Sequence, residues 1–119
     1  MATDPEELRQ RTKQFAMRII RLFRSLPRTE EARVIGRQLL RAATSVAANY
    51  RAVCRARSRA DFTAKMGIVL EETDESLFWL ELLGDASIIK KAMLSELMKE
   101  ADELIRIFNS SIQTARCKL

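Results

Sequence analysis

The sequence contains no histidine, and this absence removes most of the ordinary routes to catalysis. Histidine is the side chain most often used as a general base at neutral pH, and it completes the usual nucleophile–base pairs. Its absence also excludes the Glu-x-x-His iron motif of ferritin-like helical bundles. The three glycines form no phosphate-cradling loop. We therefore expect no enzymatic activity, no catalytic residue and no cofactor.

Residues that break or crosslink the chain are also scarce: three glycines, two prolines and two cysteines in 119 residues. So few breaks favour long helices. Cys54 and Cys117 are too few for a disulfide framework or a closed zinc site, and we expect Cys54 to be a small buried apolar residue. The acidic N-terminus is unlike a signal peptide, and no apolar run reaches the roughly 18 residues of a membrane span. The sequence therefore predicts a soluble, cytoplasmic protein without membrane contact.

Caps and breaks divide the chain into four helices joined by three short connections. Thr3 or Asp4 is the predicted cap of the first helix, Thr29 caps the second, and Ser58 with Asp61 resembles a capping box. We predict helices from about Pro5 to Leu26, from Thr29 to Arg57, from Ser58 to Gly84 and from Lys91 to Arg116. Short connections imply antiparallel neighbours. The prediction is one all-α domain over residues 1–119, an antiparallel up-down-up-down four-helix bundle.

Apolar residues at spacings of three and four give each helix one stripe that faces the core. In chain order these predicted core residues are Leu8, Phe15, Ile19, Leu22 and Leu26; Ile35, Leu39, Ala42, Val46, Tyr50 and Val53; Phe62, Met66, Val69, Leu70, Thr73, Leu77 and Leu80; and Leu94, Leu97, Met98, Ala101, Leu104, Ile105, Phe108 and Ile112. Ala42, Ala43, Ala47 and Ala48 also make the middle of the second helix thin, so that another backbone can approach it closely.

The second helix carries positive charge on the side opposite its core stripe. At about 100° per residue, five arginines fall within roughly 80° of one another; this arginine ridge comprises Arg33, Arg37, Arg41, Arg51 and Arg55. Arg57 and Arg59 extend it into the following turn. Residues 1–60 hold 14 Lys and Arg against 5 Asp and Glu, a net charge of +9, whereas residues 61–119 hold 7 against 11, a net charge of −4.

Three interpretations of the arginine ridge remain open from the sequence. Guanidinium groups one helical turn apart can pair with successive phosphates, which suits the backbone of RNA or DNA. No aromatic residues interleave with them, so we expect little base recognition. The ridge can also be an ordinary solvated surface. Finally, Arg33, Arg37 and Arg41 could bridge to the acidic third helix of an adjacent subunit.

A second apolar strip on the third helix lies away from its core stripe and is typical of a protein–protein surface. Together with nearby acids that could meet another copy's arginines, the predicted oligomer interface comprises Ile68, Glu72, Glu75, Phe78, Trp79 and Leu82. Glu71, Glu72 and Glu75 are spread around the helix, which argues against a metal site. Asn49 lies at the edge of a core stripe, where a hydrogen bond to a neighbouring helix is favoured over a ligand contact.

Four features of residues 38–83 form a recognisable pattern: the Ser45-x-Ala47-Ala48-Asn49 core, the arginine-rich turn, Phe62, and the run Glu72-x-x-Glu75-x-x-x-Trp79-Leu80-Glu81. The pattern resembles the four-helix-bundle family of intervening-sequence proteins, which are encoded within insertions in bacterial 23S ribosomal RNA genes. This resemblance implies a homopentamer with a central channel. The chain also resembles the related accessory protein of diversity-generating retroelements, which implies RNA and a reverse transcriptase as candidate partners.

Two functional hypotheses follow from these patterns and the resemblance. The first is a non-enzymatic accessory protein, oligomeric and basic, that binds nucleic acid through Arg33, Arg37, Arg41, Arg51, Arg55, Arg57 and Arg59. The alternative is a structural or adaptor protein whose basic face contacts other subunits or a protein partner. Charge reversal on the arginine ridge separates them, because it should abolish RNA binding in the first case and change the oligomer size in the second.

Overall fold

The structure, a computed structural model, describes residues 4–117 and contains four α-helices. They are α1 (Pro5–Ser25), α2 (Glu30–Val53), α3 (Arg59–Asp85) and α4 (Lys91–Cys117). No β-strand occurs within residues 4–117, so the predicted all-α class is confirmed. The molecule is elongated, with extents of 49 × 22 × 19 Å, and long helices joined by short connections fit a four-helix bundle.

Side-chain caps fix where α2 and α3 begin. The Thr29 hydroxyl oxygen accepts a hydrogen bond at 3.3 Å from the backbone N–H three residues later, and the Ser58 hydroxyl oxygen accepts the equivalent bond at 3.0 Å. These bonds satisfy N–H groups that have no partner within the helix, and both predicted caps are confirmed. Asp4 occupies the N-cap of α1 without a side-chain capping bond. Thr3, its predicted alternative, lies outside the described residues.

α2 ends at Val53, so the predicted extension to Arg57 is wrong. In its last turn the Arg55 N–H bonds at 3.0 Å to a carbonyl three residues back, which tightens the helix end. Ser58 then adopts an extended conformation with φ of −159°, and Asp61 Oδ2 accepts the Arg57 N–H at 3.0 Å. The capping of α3 thus places Arg57 outside α2. Arg55 and Arg57 both lie in the connection between α2 and α3.

α3 runs one residue past Gly84, the residue predicted to end it. The turn that follows is a Schellman motif, in which the Ile88 N–H bonds to Leu83 O and the Ser87 N–H to Gly84 O, both at 3.0 Å. Ser87, with φ of 58°, takes the left-handed position that glycine usually occupies. A Cβ on Gly84 would lie 3.2 Å from Lys91 Cγ, so this glycine permits the close approach of α4.

The predicted core stripes meet in a buried cluster to which all four helices contribute. Fully buried side chains include Phe15 and Ile19 of α1, Leu39 and Val46 of α2, Met66, Val69 and Leu80 of α3, and Leu94, Leu104 and Phe108 of α4. Predicted core residues that the structure leaves half-buried are Leu22, Leu26, Ile35, Phe62, Leu70, Leu77, Met98 and Ile105. Thr12 and Ser76 are also buried, and each hydroxyl donates to a carbonyl of its own helix, at 3.1 and 2.8 Å.

A forked ion pair joins α1 to α4, which otherwise approach each other at few points. Arg11 Nε and Nη2 donate to the two carboxylate oxygens of Glu100 at 3.1 and 2.8 Å, and Nη2 also lies 3.0 Å from Glu103 Oε1. The hydrogen bond to Glu100 raises the pKa of Arg11 above its ordinary value. The Arg11 and Glu100 side chains are 24% and 19% exposed, so water screens this contact only in part.

Tyr50 joins the end of α2 to α4 by stacking on Phe108. The two ring centroids lie 5.8 Å apart and the ring planes meet at 25°. Tyr50 is only 4% exposed, and burial raises the pKa of its phenol to about 12, because the phenolate would place a charge in apolar surroundings. Since this is the only tyrosine in the chain, its titration can be followed without interference from another phenol.

We expect the phenolate absorbance of the folded protein to appear near pH 12, whereas the unfolded chain should titrate at about 10. The unfolded state loses the proton first, so the stability due to Tyr50 is complete below the unfolded pKa. It is then lost as pH rises through the folded pKa. Spectrophotometric titration of native and urea-denatured protein measures both midpoints, and Tyr50→Phe should remove the signal. Coincident midpoints would contradict the burial of this phenol.

Candidate nucleic-acid interface

The arginine ridge is exposed along its whole length, and α2 passes through Ala47 without interruption. Arg33, Arg37, Arg41 and Arg51 lie on α2 itself, and Arg55 follows in the connection to α3. Arg57 shares that connection, whereas Arg59 is the first residue of α3; both are exposed. The ridge predicted from helical periodicity therefore exists as a surface feature, although its last members leave the helix.

Arg41 differs from the other ridge members because two carboxylates of α3 hold it. Its guanidinium lies 3.3 Å from Glu72 Oε2 and also pairs with Glu75. Glu75 Oε2 additionally accepts the indole N–H of Trp79 at 3.2 Å. The sequence suggested such bridges between adjacent subunits, but here the acidic helix that receives Arg41 belongs to the same chain. Much of the charge of Arg41 is thus neutralised locally, which divides the ridge into two parts.

The first part, Arg51 and Arg55, forms one wall of a cleft between α1 and α2. Arg9 and Lys13 of α1 form the opposite wall, and the cleft volume is about 570 Å³. None of the lining residues is acidic. Neither Arg9 nor Lys13 was predicted from the sequence to belong to this surface. Their spacing of one helical turn, the same as that of Arg51 and Arg55, was the signal available in the sequence.

Small side chains form the floor of this basic cleft: Ala16 of α1, with Thr44, Ala47 and Ala48 of α2. The alanine-rich middle of α2 was predicted to admit another backbone. In the structure Ala42 and Ala43 are fully buried in the core, whereas Ala48 is exposed. Some of these small residues therefore allow close packing within the bundle. The others leave the floor between the two cationic walls unobstructed.

The second part of the ridge, Arg33 and Arg37, lies near the connection between α1 and α2. Together with Arg24 and Arg28 it lines a groove of about 340 Å³ that also contains the Phe23 ring. A third groove, of about 580 Å³, lies between α2 and α3 beside Arg57. It contains Asp61, which pairs with Lys65 at 2.7 Å, so its charge is mixed.

Two members of the apolar strip on α3 are exposed and two are half-buried. Ile68 and Phe78 are 46% and 50% exposed, whereas Trp79 and Leu82 are half-buried. The Phe78 and Trp79 rings meet edge to face, with centroids 4.9 Å apart. Because Glu72 and Glu75 lie on the same face as Ile68 and Trp79, the ion cluster around Arg41 lies between the two exposed members of the strip.

Two smaller predictions are wrong. Cys54 is exposed because α2 ends at Val53 and turns this side chain away from the core. Asn49 Nδ2 donates to Ser45 O at 2.8 Å, so its partner belongs to the same helix. A half-buried amide can satisfy itself in this way when no other helix offers an acceptor.

Within the described residues there is neither a cluster suited to a metal ion nor a helix suited to crossing a bilayer. No group of three or more Cys, Asp or Glu side chains within residues 4–117 is placed to hold a metal ion. Two members of the acidic trio on α3, Glu72 and Glu75, instead contact Arg41. Over the same residues, no helix combines the length and apolar character required to span a bilayer.

Comparisons with known proteins identify the family. The family described as 23S rRNA-intervening sequence protein matches residues 6–110 of this chain. A crystal structure of a protein of unknown function from the S23 ribosomal protein family of Bacteroides thetaiotaomicron VPI-5482 superposes with a TM-score of 0.84 and 32% sequence identity. The alignment covers 92% of this chain and 97% of that one. Among curated proteins, none matches significantly. The chain belongs to the 23S rRNA-intervening sequence protein family.

Proposed function

We propose that this protein is a non-enzymatic accessory protein that holds RNA by its phosphates along the exposed face of α2. The observation that carries the proposal is the state of four arginines: Arg33, Arg37, Arg51 and Arg55 are exposed and have no carboxylate partner within residues 4–117. Such guanidinium groups keep their full charge and all their donors for phosphate oxygens. RNA as the partner class also agrees with the resemblance of the sequence to the accessory protein of diversity-generating retroelements.

Binding by this surface should depend on the backbone more than on base sequence. The basic cleft contains no aromatic side chain, so bases have no ring on which to stack there. The groove beside Arg33 and Arg37 contains one ring, the half-buried Phe23. Phosphate contacts alone position a strand without recognising its base sequence. DNA therefore remains a second polyanion that the same surface could hold, and RNA is favoured by the resemblance to the retroelement accessory protein.

We further propose that one domain with an antiparallel, up-down-up-down order of helices assembles into a homopentamer in the cytoplasm. The cross-helix contacts support the order, because the start of α1 and the end of α2 line the same cleft. Support for assembly comes from Ile68 and Phe78, large apolar residues that are about half exposed on α3. A reverse transcriptase, implied by the sequence resemblance, remains a candidate partner.

Charge reversal of the unpaired ridge arginines tests the proposal. The variant Arg33→Glu, Arg37→Glu, Arg51→Glu, Arg55→Glu should lose at least tenfold in affinity for a labelled RNA oligomer, because like charges would then face the phosphates. The affinity of the unmodified protein should also fall steeply with salt, since bound phosphates release counterions. Fluorescence anisotropy at several salt concentrations measures both effects.

A matched control instead reverses four cations in or next to α4: Lys90, which immediately precedes the helix, and Lys99, Arg106 and Arg116. It carries the same net charge as the ridge variant but leaves α2 unchanged, so it should bind RNA with nearly the affinity of the unmodified protein. Equal losses in both variants, or affinity independent of salt, would refute an RNA site on α2. Circular dichroism of both variants tests whether the helices are retained.

The adaptor hypothesis is the second candidate, and the exposed apolar strip on α3 favours it. If the ridge contacts another subunit or protein, the four reversals should change the molar mass in solution. Light scattering on the same two variants measures this. An unchanged mass together with lost RNA binding supports the accessory-protein proposal, whereas a changed mass with RNA binding retained supports the adaptor.

A further inference from the structure

The cleft between α1 and α2 has two cationic walls and no acidic lining residue, and at about 570 Å³ it is larger than the groove of about 340 Å³ beside Arg33 and Arg37. Arg9 and Lys13 lie on one wall, and Arg51 and Arg55 on the other. By contrast, Asp61 lines the groove between α2 and α3. Arg9 and Lys13 lie on α1, Arg51 on α2 and Arg55 just beyond the end of α2, so the cleft cannot be recognised from the arginine ridge alone.

The cations on the walls are available for a ligand. Lys13, Arg51 and Arg55 are exposed and have no carboxylate partner within the described part of the chain. Arg9 pairs with Glu6 one turn earlier, but their side chains are 47% and 53% exposed, and such surface pairs contribute little. A phosphate can therefore displace Glu6 at low cost.

The spacing of the walls suits consecutive phosphates of one strand. Arg9 and Lys13 are one helical turn apart, about 6 Å along the axis of α1. Arg51 lies in the last turn of α2, and Arg55 follows four residues later in the tightened turn at its end. Each of two successive phosphates can thus meet one cation from α1 and one from the end of α2. The axes of packed helices lie about 8–10 Å apart, which leaves no room for a duplex to descend between them.

The floor of the cleft explains why a backbone can come close to both helices. Ala16, Ala47 and Ala48 present only methyl groups, and Thr44 directs its hydroxyl to the carbonyls of Leu40 and Arg41 at 2.8 and 3.1 Å. No long side chain of the floor obstructs a phosphodiester chain. With no aromatic lining residue, the bases would point outward to solvent.

We infer that the cleft between α1 and α2 holds a single-stranded phosphodiester segment, with Arg9 and Lys13 of α1 contacting the same phosphates as Arg51 and Arg55 at the end of α2. The inference rests on the proposed function and narrows it in two ways. It assigns binding residues to α1, where the ridge has none, and it specifies an unpaired strand over a duplex.

The double variant Arg9→Glu, Lys13→Glu tests this assignment while leaving every ridge arginine in place. Its affinity for a labelled 12-nucleotide oligouridylate should fall at least tenfold. The slope of log affinity against log salt should become shallower by about 1.4, the value for two lost phosphate contacts on a single strand. Lys99→Glu with Arg106→Glu, which makes the same change in net charge on α4, should alter the affinity less than twofold.

Further binding measurements compare different nucleic acids as the source of the phosphates. The unmodified protein should bind the single-stranded RNA and a single-stranded DNA of equal length with similar affinity, and an RNA duplex of the same length at least tenfold more weakly. If Arg9→Glu, Lys13→Glu unfolds the protein, Arg9→Gln, Lys13→Gln should still lose about threefold.

The outcomes distinguish this inference from the proposed function. Loss of RNA binding in the four-arginine variant of α2, with the α1 variant binding as well as the α4 control, would overturn the cleft and leave an RNA site elsewhere on the ridge. Preferred binding of the duplex would also overturn it. Full RNA binding by the four-arginine variant would overturn both.

Discussion

Replacing Phe108 with alanine should lower the free energy of unfolding by about 3–5 kcal/mol, the cost of removing a large ring from a packed core. Phe108 is fully buried, and its ring stacks on Tyr50 at 5.8 Å, so truncation opens a cavity and removes an aromatic contact together. Urea unfolding followed by circular dichroism measures the loss, and the thermal midpoint should fall by about 10 °C or more.

Met93 offers a matched control on the same helix. It is a large apolar residue but 67% exposed, so Met93→Ala should change the free energy of unfolding by less than about 0.5 kcal/mol. Similar effects of the two substitutions would mean that Phe108 does not occupy the core of the bundle. An additional test is the Tyr50 titration, since a cavity beside the phenol should admit water and lower its pKa toward the unfolded value.

Replacing Arg11 with methionine should cost about 2 kcal/mol, because it leaves Glu100 partly buried without its cation. The change keeps a long side chain for packing and removes only the guanidinium. Since α1 and α4 approach each other at few points, the loss should also speed hydrogen exchange in α1 more than in α3. Denaturant unfolding and exchange mass spectrometry measure the two effects.

Two comparisons make this result specific to the forked ion pair. Arg9→Met removes an exposed arginine two residues away whose pair with Glu6 is open to water, and it should be nearly neutral. Adding Glu100→Leu to Arg11→Met should recover at least half of the lost stability, because the unpaired carboxylate disappears. A double variant as unstable as the sum of its parts would contradict the pairing.

The positions of the helices could be predicted because their signals are local. Thr29 and Ser58 cap helices through bonds to residues only three positions away, and core stripes follow from the helical period. The ends of the helices were harder to predict from the sequence. Gly84 looked like a terminator, yet its role depends on Lys91 of the next helix, and the end of α2 depends on a bond made by Asp61 beyond it.

The candidate site was less predictable because it depends on how helices face one another. The ridge follows from the period of α2, but the sequence does not show that Arg41 is the member whose position along α2 faces Glu72 and Glu75. Likewise, the sequence shows positive charge on α1 without showing that Arg9 and Lys13 face α2. Rotation and register between helices are set by packing of the whole core, which single-helix patterns do not contain.

The indole of Trp79 makes the α3 surface observable by intrinsic fluorescence. It is the only tryptophan in the chain, and its N–H is held by the same Glu75 oxygen that Arg41 contacts. Any partner that covers the strip or draws Arg41 away changes the polarity around a single emitter. Assembly and ligand binding at this face can therefore be followed in the unlabelled protein, while the buried Tyr50 reports separately on the integrity of the core.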